Sequence, residues 1–150
     1  MKKTFPIISA IIIGISLAKF MFNQYDYDTK ISTVFKNGEK LMFVMNGIYS
    51  SKDEMEASCS SLKSYIYSLE NDKYYVYLGI TKNLENFDKL KGYFNRKGYD
   101  VSERTLNINN DSYIELLDQY DILLSKTNDD DVIEAIASQS ITKYKEYIND

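Results

Sequence analysis

From Phe5 to Phe22 the chain is apolar on every side, interrupted only by Lys19. Beyond Asn23, apolar residues come in short alternating runs and in helical stripes. The first run has no polar face, which suits a helix surrounded by lipid rather than one packed on a core. At ~1.5 Å per residue it reaches roughly 27 Å, close to the thickness of a hydrocarbon core. Lys2 and Lys3 ahead of it favour a cytoplasmic N-terminus, so that everything from Asn23 onward lies outside. Lys19 stands near the far end, where its stem reaches the headgroups, and Pro6 falls in the first turn, where its missing N–H does no harm. Residues 1–22 are therefore expected to be a single-pass anchor in the cell membrane, with an extracytoplasmic remainder. A cleaved signal peptide is the competing expectation, because Ser16-Leu17-Ala18 offers small residues for cleavage after Ala18. Against it, Phe20-Met21-Phe22 prolongs the apolar run. Either way the rest is exported, and no cysteine follows closely enough for lipoprotein processing.

Residues 23–38 read as a polar linker and a first strand. Ile31 to Lys36 and Glu39 to Asn46 are β-rich and flank Asn37-Gly38, a strong hairpin signal because a type I′ turn needs positive φ at both positions. Ser51 and Glu54 have capping-box spacing ahead of a helix with Met55, Cys59 and Leu62 inward. Tyr65 to Leu69 is a short strand, Glu70-Asn71-Asp72 a turn, and Lys73 to Ile80 the clearest strand in the chain. A second helix spans Leu84 to Arg96, with Leu84, Phe87, Leu90 and Phe94 inward and Gly98 at its stop. Val101 to Ile108 is the last strand. The order over residues 39–108 is thus β-α-β-β-α-β, and its halves echo one another. Val44, Gly47, Ile48 and Ser50 precede the first helix, and Val76, Gly79, Ile80 and Lys82 stand at the same offsets before the second. The expected fold class is α+β, a four-stranded antiparallel sheet with both helices on one face. Residues 109–150 form a helical hairpin extension. Tyr113, Leu116, Leu117, Tyr120, Leu123 and Leu124 mark one stripe, with Ser112 and Glu115 as its capping box. Ile133, Ile136, Ser140, Tyr144 and Tyr147 mark the other, beginning near Asp131. The short Lys126–Asp130 connection packs the two antiparallel.

Composition narrows the chemistry. A chain of 150 residues holds one domain plus an anchor. Its net charge of -4, with no long basic run after the first three residues, excludes nucleic acid as a partner. Cys59 is the single cysteine, so no intramolecular disulfide forms. There is no histidine, which removes a Ser-His-Asp triad, a Cys-His pair and a two-histidine zinc site. Asp129-Asp130-Asp131 lacks the spaced oxygen ligands and glycine of a calcium loop and reads as helix capping. Cys59 reads as a small core residue. Glu54 and Glu56 lie on an exposed helix face with no cleft for paired-carboxylate catalysis, and Arg104 is expected to pair with a neighbouring carboxylate. No enzyme and no cofactor are expected.

The segment Val44-Met45-Asn46-Gly47-Ile48-Tyr49-Ser50-Ser51, its second-half counterpart Tyr75-Val76-Tyr77-Leu78-Gly79-Ile80, and Lys97-Gly98-Tyr99 after the second helix resemble the motifs of a SPOR domain, the sporulation-related repeat. The resemblance covers about Leu41 to Leu106 and departs from the family at Met45, where glutamine is usual, and at Asn46, where an apolar residue is usual. It implies the same β-α-β-β-α-β sheet and binding of peptidoglycan glycan strands, in sporulation or division, on the sheet face away from the helices. Side chains alternate along a strand. With Val44, Val76 and Leu78 facing the helices, Phe43, Met45, Tyr75 and Tyr77 face the other way, and Tyr49 joins them beyond Gly47. These five are the expected glycan-binding residues, because a tyrosine ring offers sugars a flat apolar surface with a polar tip, while Gly47 and Gly79 leave room for close approach. The alternative is that the C-terminal helices bury their stripes on that face. The chain is then a protein-interaction module of an envelope or sporulation complex that binds no glycan. Oligomeric state is not legible in the sequence.

Overall fold

A computed structural model of the chain describes residues 30–31 and 38–149. The expected anchor over residues 1–22 lies outside them, and no helix among the described residues is long and apolar enough to cross a membrane. The fold is α+β. Four antiparallel strands, β2 (Glu39–Tyr49), β3 (Ile66–Glu70), β4 (Lys73–Thr81) and β5 (Ser102–Ile108), lie side by side in the order β3-β4-β2-β5. A two-residue strand, β1 (Lys30–Ile31), adds to the outside of β3 in parallel. Ile31, where the first arm of the hairpin expected across Asn37-Gly38 begins, therefore pairs with Ser68 and not with β2. Residues 32–37 lie outside the described residues. At Gly38 a Cβ would stand 2.2 Å from the Ile108 carbonyl oxygen. A pair of positive-φ residues of the type I′ kind joins β3 to β4, where Asn71 and Asp72 have φ of 49° and 60°.

Each half of the repeat contributes one strand to the centre of the sheet. Val44 on β2 pairs with Gly79 on β4, and Gly47 pairs with Val76. The two halves thus meet about a local two-fold, and this is the physical content of the sequence echo. Asn46, the residue that departs from the family pattern, is the unpaired position of a bulge between Met45 and Gly47.

Four helices are described: α1 (Lys52–Ser58), α2 (Leu84–Arg96), α3 (Asp111–Lys126) and α4 (Asp130–Asn149). Helix α1 starts on Ser51, whose side chain accepts from the Glu54 N–H, while Glu54 accepts from the Ser50 N–H. Helix α2 ends in a Schellman turn. The Tyr99 N–H bonds Phe94 O, the Gly98 N–H bonds Asn95 O, and Gly98 has φ of 90°. Helix α3 starts two residues before the expected cap, on Asn110, which accepts from the Tyr113 N–H. Helix α4 is capped by Asp129, whose carboxylate accepts from Asp131 and Val132. That is the work the acidic triplet does.

Helices α1 and α2 cover one face of the sheet, with Met55, Phe87, Leu90 and Phe94 on Val44, Val76 and Leu78. Helices α3 and α4 run antiparallel, since Tyr113 at the start of one meets Tyr144 near the end of the other. They join both faces. Leu124, Ile133, Ile136 and Ala137 extend the α1–α2 core, whereas Tyr113, Leu117, Ile141 and Tyr144 pack on Leu41, Phe43, Tyr77 and Ile80 on the opposite face. The crossing is possible because β3 begins at Ile66, opposite Tyr77, and leaves the edge of β4 beyond it unpaired by a strand. Helix α4 fills that slot. Ser140 accepts the Ile80 N–H at 3.0 Å, and Ala137 lies 3.4 Å from where a Gly79 Cβ would stand.

Candidate functional site

The sheet face away from α1 and α2 divides into a closed and an open half. In the closed half Phe43 and Tyr77 have no exposed surface. Phe43 packs edge-on against Tyr77 and Tyr144, with ring centres 5.1 and 5.2 Å away. A ring enclosed in this way presents no face to a sugar, so both are core residues rather than binding residues. The stripes of α3 and α4 need an apolar floor, and this half of the sheet supplies it. Tyr49 lies on the other face, packed against the α1–α2 core, because the bulge at Asn46 and the end of the strand carry it there. Burial pushes its hydroxyl above the ordinary tyrosine pKa. Gly47 and Gly79 give no room to a ligand either: the space at Gly47 is taken by the Tyr49 ring and that at Gly79 by Ala137 and Leu90.

Met45 and Tyr75 remain, both half-buried on the open half. Beside them stands Ile48, an exposed large apolar residue paired with Tyr75 across β2 and β4. Arg104 on β5 reaches diagonally over β2 and β4 to Glu70 on β3. It donates through Nη1 at 3.1 Å and through Nη2 at 2.6 Å, a bidentate pair. It also donates to the Tyr77 hydroxyl and lies over the Tyr75 ring, 4.2 Å from its centre. Ser68, itself buried, donates to Glu70 at 3.0 Å and shares a hydrogen bond with Tyr77 at 3.2 Å. Burial disfavours the guanidinium charge, but the Glu70 carboxylate outweighs it and Arg104 is held above its ordinary pKa. Burial likewise raises Tyr77, against the opposing pull of Ser68 and Arg104. The arrangement fixes a planar cation between an aromatic ring and a carboxylate at the border of an apolar patch.

Glu70 and Ser68 are not foreseeable as neighbours of Arg104. They lie on the far outer strand, and no local spacing in the sequence brings β3 and β5 together across two intervening strands.

A second polar cluster lies at the other end of the sheet. Asp121 accepts from the Thr81 hydroxyl, from the Lys82 N–H at 2.9 Å and from Asn86 Nδ2 at 3.1 Å. Lys82 bridges Glu39 at 2.7 Å and Asp118 at 2.8 Å. These contacts tie α3 to the turn between β4 and α2, with Asp121 bonded through both carboxylate oxygens. The cluster is a clamp. Cys59 is buried, and burial pushes its thiol up to about 11, which leaves it unreactive. Among the described residues no group of three or more acidic or cysteine side chains is placed to hold a metal ion. Comparison with protein-family models, curated proteins and solved structures finds no match to the chain.

Proposed function

We propose that this chain is a non-catalytic interaction module of the cell envelope, held at the membrane by its N-terminal segment, that recognises a protein partner through the open half of its outer sheet face. One observation carries the reading: Phe43 and Tyr77, two of the rings on which sugars would stack, are instead the floor of the α3–α4 hairpin. What stays accessible is Met45, Ile48, Tyr75 and the Arg104–Glu70 pair, a mixture of methionine, tyrosine and arginine around an apolar residue that is typical of protein interfaces. The anchor and the exported location rest on the apolar run from Phe5 to Phe22 and its flanking lysines.

Glycan binding is the second reading, favoured by the half-exposed Tyr75 and Met45 on an antiparallel sheet of the β-α-β-β-α-β element order that the SPOR resemblance implies. Against it, Arg104 already occupies one face of the Tyr75 ring. The test is a photo-reactive amino acid placed at Ile48 in the full chain in its native membranes. The protein reading expects a discrete protein adduct that weakens several-fold when Arg104→Ala is added. The same probe at the exposed Asp53 of α1 should give none. An Ile48 probe that yields no protein adduct, or the same adducts as Asp53, contradicts it.

A further inference from the structure

The two edges of the sheet are treated differently. On one, β1 pairs with β3, and beyond the start of β3 helix α4 covers β4 and supplies Ser140 for the Ile80 N–H. On the other, β5 is the terminal strand, and among the described residues no strand pairs with its outer side. Proteins usually guard such an edge with proline, lysine or a bulge that twists it away. Ser102–Ile108 contains no proline, lysine or glycine. Its pairing to β2 runs without a break from Glu39↔Ile108 to Met45↔Ser102. Its one cation, Arg104, is turned across the sheet face onto Glu70, and Glu103 accepts a hydrogen bond from Thr105 at 2.9 Å. On the α1–α2 side Glu103, Thr105 and Asn107 are all exposed, so no helix overhangs β5 to block a neighbouring strand.

We infer that β5 is a self-pairing edge: two copies of the chain join antiparallel through Ser102–Ile108, about a two-fold axis at Thr105, and continue the sheet across the dimer. The occupant is a second copy because the strand is complementary to itself in this register. Thr105 faces Thr105, Glu103 faces the uncharged Asn107, and Arg104 faces Leu106, so no like charges stand opposite one another. The half-buried Leu106 then stands beside Arg104 of the second copy at the junction. Backbone pairing of this kind is isologous and closes at two copies. The inference uses the backbone edge of β5, which the Ile48–Tyr75 patch does not include although Arg104 borders both, and stands whether that patch binds protein or glycan.

The test is made on the full chain in detergent. Light scattering over a concentration series should show the protein mass doubling, and Thr105→Lys, which sets two ammonium groups face to face at the axis, should restore the monomer mass with an unchanged circular dichroism spectrum. In membranes, the Thr105→Cys variant should form an oxidised dimer at least ten-fold faster than the Glu56→Cys variant, altered on the exposed face of α1, with the wild type, whose Cys59 is buried, as background. A monomer at every concentration, a dimer that Thr105→Lys leaves intact, or a Thr105→Cys variant that cross-links no faster than Glu56→Cys overturns the inference.

Discussion

Two tyrosines two residues apart on β4 differ in kind, and the difference is measurable. Tyr77 is wholly enclosed by Phe43, α4 and the Arg104 network, so Tyr77→Ala is expected to cost about 3–5 kcal/mol in denaturant unfolding, as for other buried aromatic truncations. Tyr75 is half-buried with Arg104 stacked on it, and Tyr75→Ala should cost about 1 kcal/mol. Equal costs would contradict the division of the face into closed and open halves. Tyr144 makes the opposite prediction. Its hydroxyl is buried with no hydrogen-bond partner among the described residues, and an unmet buried hydroxyl is unfavourable. Tyr144→Phe is therefore expected to be neutral or to stabilise by up to about 1 kcal/mol, seen as a raised denaturation midpoint with unchanged slope. A clear loss would show that the hydroxyl has a partner.

At the scale of elements, α4 is held in its slot by a bond that replaces a missing strand. Ser140→Ala leaves the buried Ile80 N–H without an acceptor and should cost about 1–3 kcal/mol. A cost below about 0.3 kcal/mol would mean that the edge of β4 is satisfied some other way. Legibility in the sequence divides along the same line. The boundaries of α2, its glycine stop and β4 rest on local signals: apolar spacing, a Schellman glycine, β-branched and aromatic alternation. They are readable because the cause lies within the element. The Asn37-Gly38 turn falls largely on residues 32–37, outside the described residues, and at Gly38 itself the need that shows is clearance of the Ile108 carbonyl. The candidate site is half legible. Alternation places Phe43, Met45, Tyr75 and Tyr77 on one face, but which of them stay open depends on where α3 and α4 land. That is set by the shortness of β3, a tertiary fact with no local signature. Tyr49 escapes the pattern through a one-residue bulge, which shifts the side-chain alternation beyond it.

At the scale of the molecule, the hairpin of α3 and α4 belongs to both cores, so the β-α-β-β-α-β unit is not expected to stand alone. It is also dense in buried tyrosine. Burial raises Tyr77, Tyr93, Tyr113 and Tyr144, lifts Tyr120 to about 12, and lifts Cys59 to about 11. These groups are neutral when protonated, so folding retains protons that the unfolded chain releases from about pH 9 to 10 upward. Their contribution is complete below that range and is lost as pH rises toward their folded values. Alkaline unfolding should therefore set in above about pH 10 and coincide with a late, cooperative rise in tyrosinate absorbance. Independent titration of every tyrosine near pH ~10 in a folded chain would contradict this packing.

The most direct measurement of the central claim is co-sedimentation of the detergent-solubilised full chain with peptidoglycan sacculi, before and after amidase removes the stem peptides. With Phe43 and Tyr77 enclosed beneath α3 and α4 and Arg104 stacked on the Tyr75 ring, the folded chain should stay in the supernatant in both cases, and Tyr75→Ala should change nothing. Sedimentation that rises on stripping and falls in Tyr75→Ala would contradict the account and establish the open half of the sheet as a glycan site.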